Sequence, residues 1–158
     1  MILNLSKKNK ELTNSDLLGI AENFGKPLYV YESEKITSQY ERLTSAFANV
    51  KNLRINYAAK ALSNVSVLKF MRHLGAGLDT VSIQEVQLGL NAGFEPKAII
   101  YTPNGVSLNE IENVAKLGVQ INIDNLSILE QFGTRHPKTP VCIRINPHVM
   151  AGGNSNIS

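Results

Sequence analysis

Lys60 ends the run Arg54-Ile55-Asn56-Tyr57-Ala58-Ala59-Lys60, which reads as a β-strand that delivers one amine to its own C-terminal end. An ammonium on a surface helix stays fully solvated. At the end of a buried strand an amine is partly desolvated, the neutral form is favoured, and the nitrogen can form a Schiff base with a carbonyl compound. The plainer alternative is a lysine at the mouth of a barrel that only pairs with a carboxylate. Other residues offer less. His73, His136 and His148 show no metal-ligand spacing, and His73 at a helix end reads as a cation set against the negative end of the helix dipole. Pro103-Asn104-Gly105 could border a site but is foremost a turn signal. Tyr57 alternates away from Lys60 and reads as core.

Six apolar, β-branched runs can be picked out, at residues 27–32, 53–60, 77–82, 98–103, 119–125 and 141–147. Their starts recur at intervals of 21 to 26 residues, and helical patterns such as Leu108, Ile111, Val114 and Ala115, or Ile83, Val86 and Leu90, fill the gaps. This is alternating βα architecture. Ser82/Glu85, Ser107/Glu110 and Ser127/Glu130 have the spacing of capping boxes, which mark helix starts. Gly75, Gly93, Gly118 and Gly133 follow helices, where a left-handed turn returns the chain to the next strand. Residues 14–24 read as a further short helix ahead of the first strand.

Short strands joined by single helices must be parallel, which leaves an open doubly wound sheet or a closed eight-stranded barrel. Alternation favours the barrel. Asn56, Ala58 and Lys60 share one side of their strand against Ile55, Tyr57 and Ala59. Cys142, Arg144 and Asn146 oppose Val141, Ile143 and Ile145, and Asn122 and Asp124 oppose Ile121 and Ile123. A doubly wound sheet is covered by apolar helices on both faces, whereas a barrel lumen tolerates polar groups toward its mouth. Eight βα units take roughly 250 residues. The expected fold is therefore α/β, a partial (β/α)8 barrel with about six units. It is truncated before the end of the barrel, with residues 1–24 as an N-terminal segment and 25–158 as the incomplete barrel. If 158 residues were the whole protein, an open flavodoxin-like sheet would be the better expectation.

A formal charge of +3 with scattered basic residues gives no nucleic-acid footprint, and the Lys7-Lys8-Asn9-Lys10 cluster reads as solvated. With 43% hydrophobic and 18% charged residues the chain has the balance of a soluble globular domain. No apolar run is long enough for a membrane span or a signal-peptide core, so a cytoplasmic location is expected. Cys142 is the only cysteine, which excludes an internal disulfide and fits a reducing compartment.

Four segments in order carry a resemblance. They are Phe24-Gly25-Lys26-Pro27-Leu28-Tyr29-Val30-Tyr31, Tyr57-Ala58-Ala59-Lys60-Ala61, Gly75-Ala76-Gly77-Leu78-Asp79-Thr80-Val81-Ser82 with Glu85, and Arg144-Ile145-Asn146-Pro147. Together they resemble the fold-type III pyridoxal-phosphate decarboxylases, most closely the diaminopimelate decarboxylase family, from about Phe24 to Ser158. The closing Met150-Ala151-Gly152-Gly153-Asn154 is similar to a loop of one branch of that family. The resemblance implies that Lys60 is the catalytic residue and binds pyridoxal 5'-phosphate through a Schiff base. It also implies that Asp79, Glu85 and Arg144 lie near the cofactor. The reaction implied is decarboxylation of meso-2,6-diaminopimelate to L-lysine and CO2, by a homodimer whose active site is shared between subunits. It further places a cofactor-stacking histidine, a glycine-rich phosphate loop, the acid at the pyridine nitrogen, a cysteine and tyrosine, and a C-terminal β domain beyond Ser158. The 158-residue chain alone is then expected to be inactive.

Each residue also has a plainer reading. Arg144 suits a cofactor oxygen, but an internal ion pair with Asp79 or Asp124 would explain it equally. The same pair would explain Asp79. A capping box already accounts for Glu85. Leu62 stands where many relatives carry a polar residue, which leaves the substrate open among diaminopimelate, ornithine, arginine and carboxynorspermidine. Two non-enzymatic alternatives are a regulator built on a decarboxylase fold, against which the retained Lys60 counts, and a flavodoxin-like binding module. The latter is disfavoured by the lack of a glycine-rich phosphate loop after the first strand.

Overall fold

The computed structural model describes residues 12–145 and residue 147. Two compact units make up the chain, Met1–Lys51 and Asn52–Ser158. In the first unit, helix α1 (Asn14–Phe24) starts from a complete capping box: the Thr13 side chain accepts from the Asp16 N–H, and the Asp16 carboxylate accepts from the Thr13 N–H at 2.9 Å. Helix α2 spans Ser33–Ala46. Between them residues 27–32 form no strand and belong to no sheet, so the first expected strand is absent from the ladder. The run has strand propensity, yet among the described residues of its unit there is no second strand to take up its N–H and C=O groups.

The second unit is a five-stranded parallel sheet with its strands in chain order. The strands are β1 (Asn56–Ala58), β2 (Gly77–Thr80), β3 (Ile99–Tyr101), β4 (Gln120–Ile123) and β5 (Val141–Ile143). Helices α3 (Val65–His73), α4 (Ile83–Asn91), α5 (Leu108–Ala115) and α6 (Leu126–Arg135) connect them. A flavodoxin-like sheet reverses its strand order at a switch point. Here the order never reverses, so the open doubly wound alternative fails and the sheet is a (β/α) barrel segment.

Pairing registers align one face across the sheet: Tyr57 with Leu78, Leu78 with Ile99, Tyr101 with Ile121, Ile121 with Val141. This face packs on the helices. Its core joins Leu78, Ile99, Tyr101, Ile121 and Ile123 to Leu68 of α3, Val86 of α4, Ile111 and Val114 of α5 and Phe132 of α6. Helix α4 lies so close that a Cβ on Gly89 would overlap Leu78 Cδ2. Each fully buried aliphatic or aromatic side chain contributes about 1.5–3 kcal/mol of burial.

Helix starts mostly follow their signals. Ser82 caps α4 and Ser107 caps α5. The Ser127/Glu130 expectation is corrected: α6 begins earlier, at Leu126, and Asn125 caps it by accepting from the Ile128 N–H at 3.1 Å. An Asx residue two positions earlier had the same capping ability. Gly75, Gly93 and Gly118 adopt positive φ as expected, whereas Gly133 lies inside α6 and terminates nothing. The expected strands are longer than the real ones, and most of their C-terminal residues lie in the turns and loops that follow. Asn146, His148, the Lys7–Lys10 cluster and the closing Met150–Asn154 loop fall outside the described residues.

Candidate active site

Strand β1 stops at Ala58, and Lys60 sits two residues on, in a one-turn 3-10 helix, Ala59–Ala61. Ala59 anchors the turn in the core with no exposed surface, while Lys60 points away and is exposed. The expected burial of the amine is therefore corrected: the turn rather than the strand carries it, and these residues leave it open to solvent. Nor does it take part in any ion pair among the described residues, which disposes of the mouth-of-barrel pair in that range. Tyr57, on the opposite face, is half-buried and donates to the Leu62 carbonyl at 3.2 Å, tying the far side of the Lys60 turn back to β1.

The face away from the helices carries Ala58, Asp79 and Ile100 in register, then Gln120 beside Ile100, and Asn122 beside Cys142. It is polar, as the alternation indicated. Asp79 is half-buried on β2, level with Ala58, and its Oδ1 accepts from the Thr102 hydroxyl at 2.9 Å. Thr102 in turn accepts from the Asn122 side-chain amide at 3.0 Å. Three neighbouring strands are thus linked near their C-terminal ends. The Asn122 side-chain carbonyl oxygen is buried and takes no hydrogen bond among the described residues. Farther down the same face, the Gln120 amide donates to Cys142 Sγ at 3.3 Å.

Glu85 is turned to the backbone. Its carboxylate accepts from the Val81 N–H at 2.8 Å while Ser82 accepts from the Glu85 N–H, a box that reaches one residue farther back than the usual form. Arg144 directly follows β5, is exposed, and makes no ion pair with Asp79 or Asp124 among the described residues. It borders a hollow of about 240 Å³ with Asp124, Asn125, Leu129 and Ile143. The structure thus sets Lys60 in the turn after β1, beside the strand that carries Asp79, puts Arg144 just past the end of β5 at the opposite edge, and commits Glu85 to a helix start. Thr102 and Asn122 were not foreseen as a pair. Alternation marked the face for Asn122 alone, and only the β3–β4 register brings Thr102 beside it.

At the C-terminal rim an exposed amine and a guanidinium with no ion pair among the described residues suit an anionic carbonyl compound, beside a lumen carboxylate held by a hydroxyl donor. These residues fit one side of a pyridoxal phosphate site: an amine to bind the aldehyde and a cation for an anionic oxygen.

The fold is an α/β barrel segment with these candidate groups at the C-terminal ends of its strands. Residues 33–158 match the family described as pyridoxal-dependent decarboxylase, pyridoxal binding domain. The chain belongs to that family. A diaminopimelate decarboxylase of Methanothermobacter thermautotrophicus is 36% identical over 140 residues, covering 87% of this chain and 33% of the relative. Among solved structures, a diaminopimelate decarboxylase from Helicobacter pylori complexed with L-lysine superposes with a TM-score of 0.73 at 34% identity, covering 83% of this chain and 34% of that one. A lysine/ornithine decarboxylase from Vibrio vulnificus complexed with putrescine gives 0.74 at 25% identity, with 85% and 38% covered. The chain spans about a third of the length of these relatives.

Proposed function

We propose that this chain is the lysine-bearing part of a pyridoxal-phosphate-dependent decarboxylase acting on meso-2,6-diaminopimelate, releasing L-lysine and CO2. The observation that carries the reading is Lys60, exposed on a turn that a buried Ala59 fixes at the rim of a parallel βα sheet. Pyridoxal phosphate, when bound, supplies the electron sink that loss of CO2 from an α-amino acid requires. Lys60 Nζ provides the attachment, and on release it is free to hold or return a proton. The Asp79 carboxylate, fixed by Thr102, places negative charge on the adjacent strand. Arg144 offers two parallel N–H donors to an anionic oxygen. Glu85 acts through the backbone, holding the start of α4 behind β2.

The choice of diaminopimelate rests on sequence. Superposition does not separate the two relatives, at 0.73 and 0.74, whereas identity does, at 34% against 25%. No described helix is long and apolar enough to cross a membrane. A cytoplasmic homodimer with a shared site is the assembly we propose for the working enzyme, with the 158-residue chain inactive by itself.

The test is to incubate the protein with pyridoxal phosphate, reduce with borohydride and map the adduct. An adduct on Lys60 supports the reading, and its absence defeats it. Turnover of diaminopimelate, ornithine, arginine and carboxynorspermidine by an assembly containing this chain then decides the substrate.

A further inference from the structure

The chain of side chains from Asn122 through Thr102 to Asp79 is directional, and its direction follows from chemistry. A carboxylate can only accept, and a threonine hydroxyl has one proton, so that proton goes to Asp79 Oδ1. The Thr102 oxygen is then left to accept, which fixes Asn122 with its amide nitrogen toward Thr102 and its carbonyl turned away. That carbonyl is buried without a partner among the described residues. A buried unsatisfied acceptor costs more than one neutral hydrogen bond returns, so the arrangement is unfavourable for folding alone. An apolar side chain of similar volume at position 122 would remove the cost.

We propose that Thr102 and Asn122 are positioning residues: the Asn122 amide locks the Thr102 hydroxyl rotor, and Thr102 locks the Asp79 carboxylate, leaving its second oxygen aimed into the lumen beside the Lys60 turn. The terminal torsion of an aspartate is broad, so without a donor its charge is spread over many directions. The unsatisfied carbonyl is the stability cost of that orientation. The inference rests on the pyridoxal phosphate reading, because it assigns Asp79 a task toward the ligand that Lys60 captures.

The experiment measures two quantities on the protein, the rate of borohydride-trapped pyridoxal phosphate adduct at Lys60 and the thermal midpoint without ligand. Asn122→Leu and Thr102→Val should each slow adduct formation about tenfold, the size of one charge-assisted hydrogen bond. Asn122→Leu should leave the midpoint equal or higher, and Thr102→Ser should retain the unchanged protein's rate. On an Asp79→Asn background, adding Thr102→Val should slow the reaction no further, since both act through one carboxylate. A lower midpoint in Asn122→Leu, or an adduct rate untouched by Thr102→Val, overturns the inference while leaving the adduct of the unchanged protein in place. If the unchanged protein forms no adduct, the proposed function itself is lost and the positioning role with it.

Discussion

The two ends of the sheet solve the same problem, polar groups on the lumen face, in opposite ways. At the N-terminal ends Arg54 donates to the Asn56 side chain at 2.9 Å and to the Lys97 carbonyl at 2.8 Å, and Gly77 makes room for them. A Cβ there would overlap Asn56 Oδ1 and lie 3.0 Å from the Ala98 carbonyl. The donors and acceptors match and the space is filled. At the C-terminal ends the groups are arranged but not matched: among the described residues Lys60 and Arg144 are exposed without ion pairs, and the Asn122 side-chain carbonyl is unpaired. Barrels put stability at the first end and chemistry at the second. Here that division is visible in hydrogen bonds alone.

Substitutions should separate the ends. Lys60→Ala should abolish the trapped adduct entirely and leave the urea midpoint unchanged, because the side chain it removes is exposed. Gly77→Ala should do the reverse, lowering stability by about 1–3 kcal/mol through overpacking, with adduct formation at Lys60 retained. A loss of adduct in folded Gly77→Ala would break the comparison. Arg144→Gln should weaken equilibrium binding of pyridoxal phosphate about tenfold, as expected for loss of a charged donor, and a fluorescence titration reads it.

Two smaller effects lie away from the sheet ends, one in the layer between sheet and helices and one on the surface. Tyr101 is buried and donates to Glu110 at 2.6 Å; burial first, and that neighbour second, push its hydroxyl well above the ordinary value of 10.0. As pH rises past 10 the unfolded chain ionises while the native chain does not, so stability falls, and Tyr101→Phe should flatten that decline in alkaline urea titrations at a cost of about 1 kcal/mol near neutrality. On the surface, the hydrogen bond from His136 and the charge of Arg135 hold the Glu112 carboxyl below its ordinary 4.5. Its contribution is present above that pH and is lost as pH falls through the lowered value. Glu112→Gln should give the smallest change, confined to the acid limb and to low salt.

Much of the sheet was legible because its cues are local. The capping roles of Ser82 and Ser107, the glycine turns at Gly75, Gly93 and Gly118, and the helix Asn14–Phe24 depend on neighbours within a turn. The alternation of Asn122 against Ile121 also marked the lumen face correctly. What failed depended on distant partners. Residues 27–32 have a strand's composition but no neighbouring strand among the described residues of their unit, and propensity cannot supply one. The Thr102–Asn122 link required the β3–β4 register, which periodicity leaves undetermined. Lys60 was expected at the right end of the right strand, yet its exposure comes from a 3-10 turn with no strong sequence signature.

Strand order has a consequence for how the sheet is made. Gly77 pairs back to Asn56, Ile99 to Leu78, Gln120 to Ile100 and Val141 to Ile121, so each strand finds its partner in the stretch synthesised just before it. Loop closure over about twenty residues is entropically mild, and local pairings form faster than distant ones. A nascent chain can therefore lengthen this sheet one βα unit at a time as it leaves the ribosome, with each new strand adding to the edge left by the last.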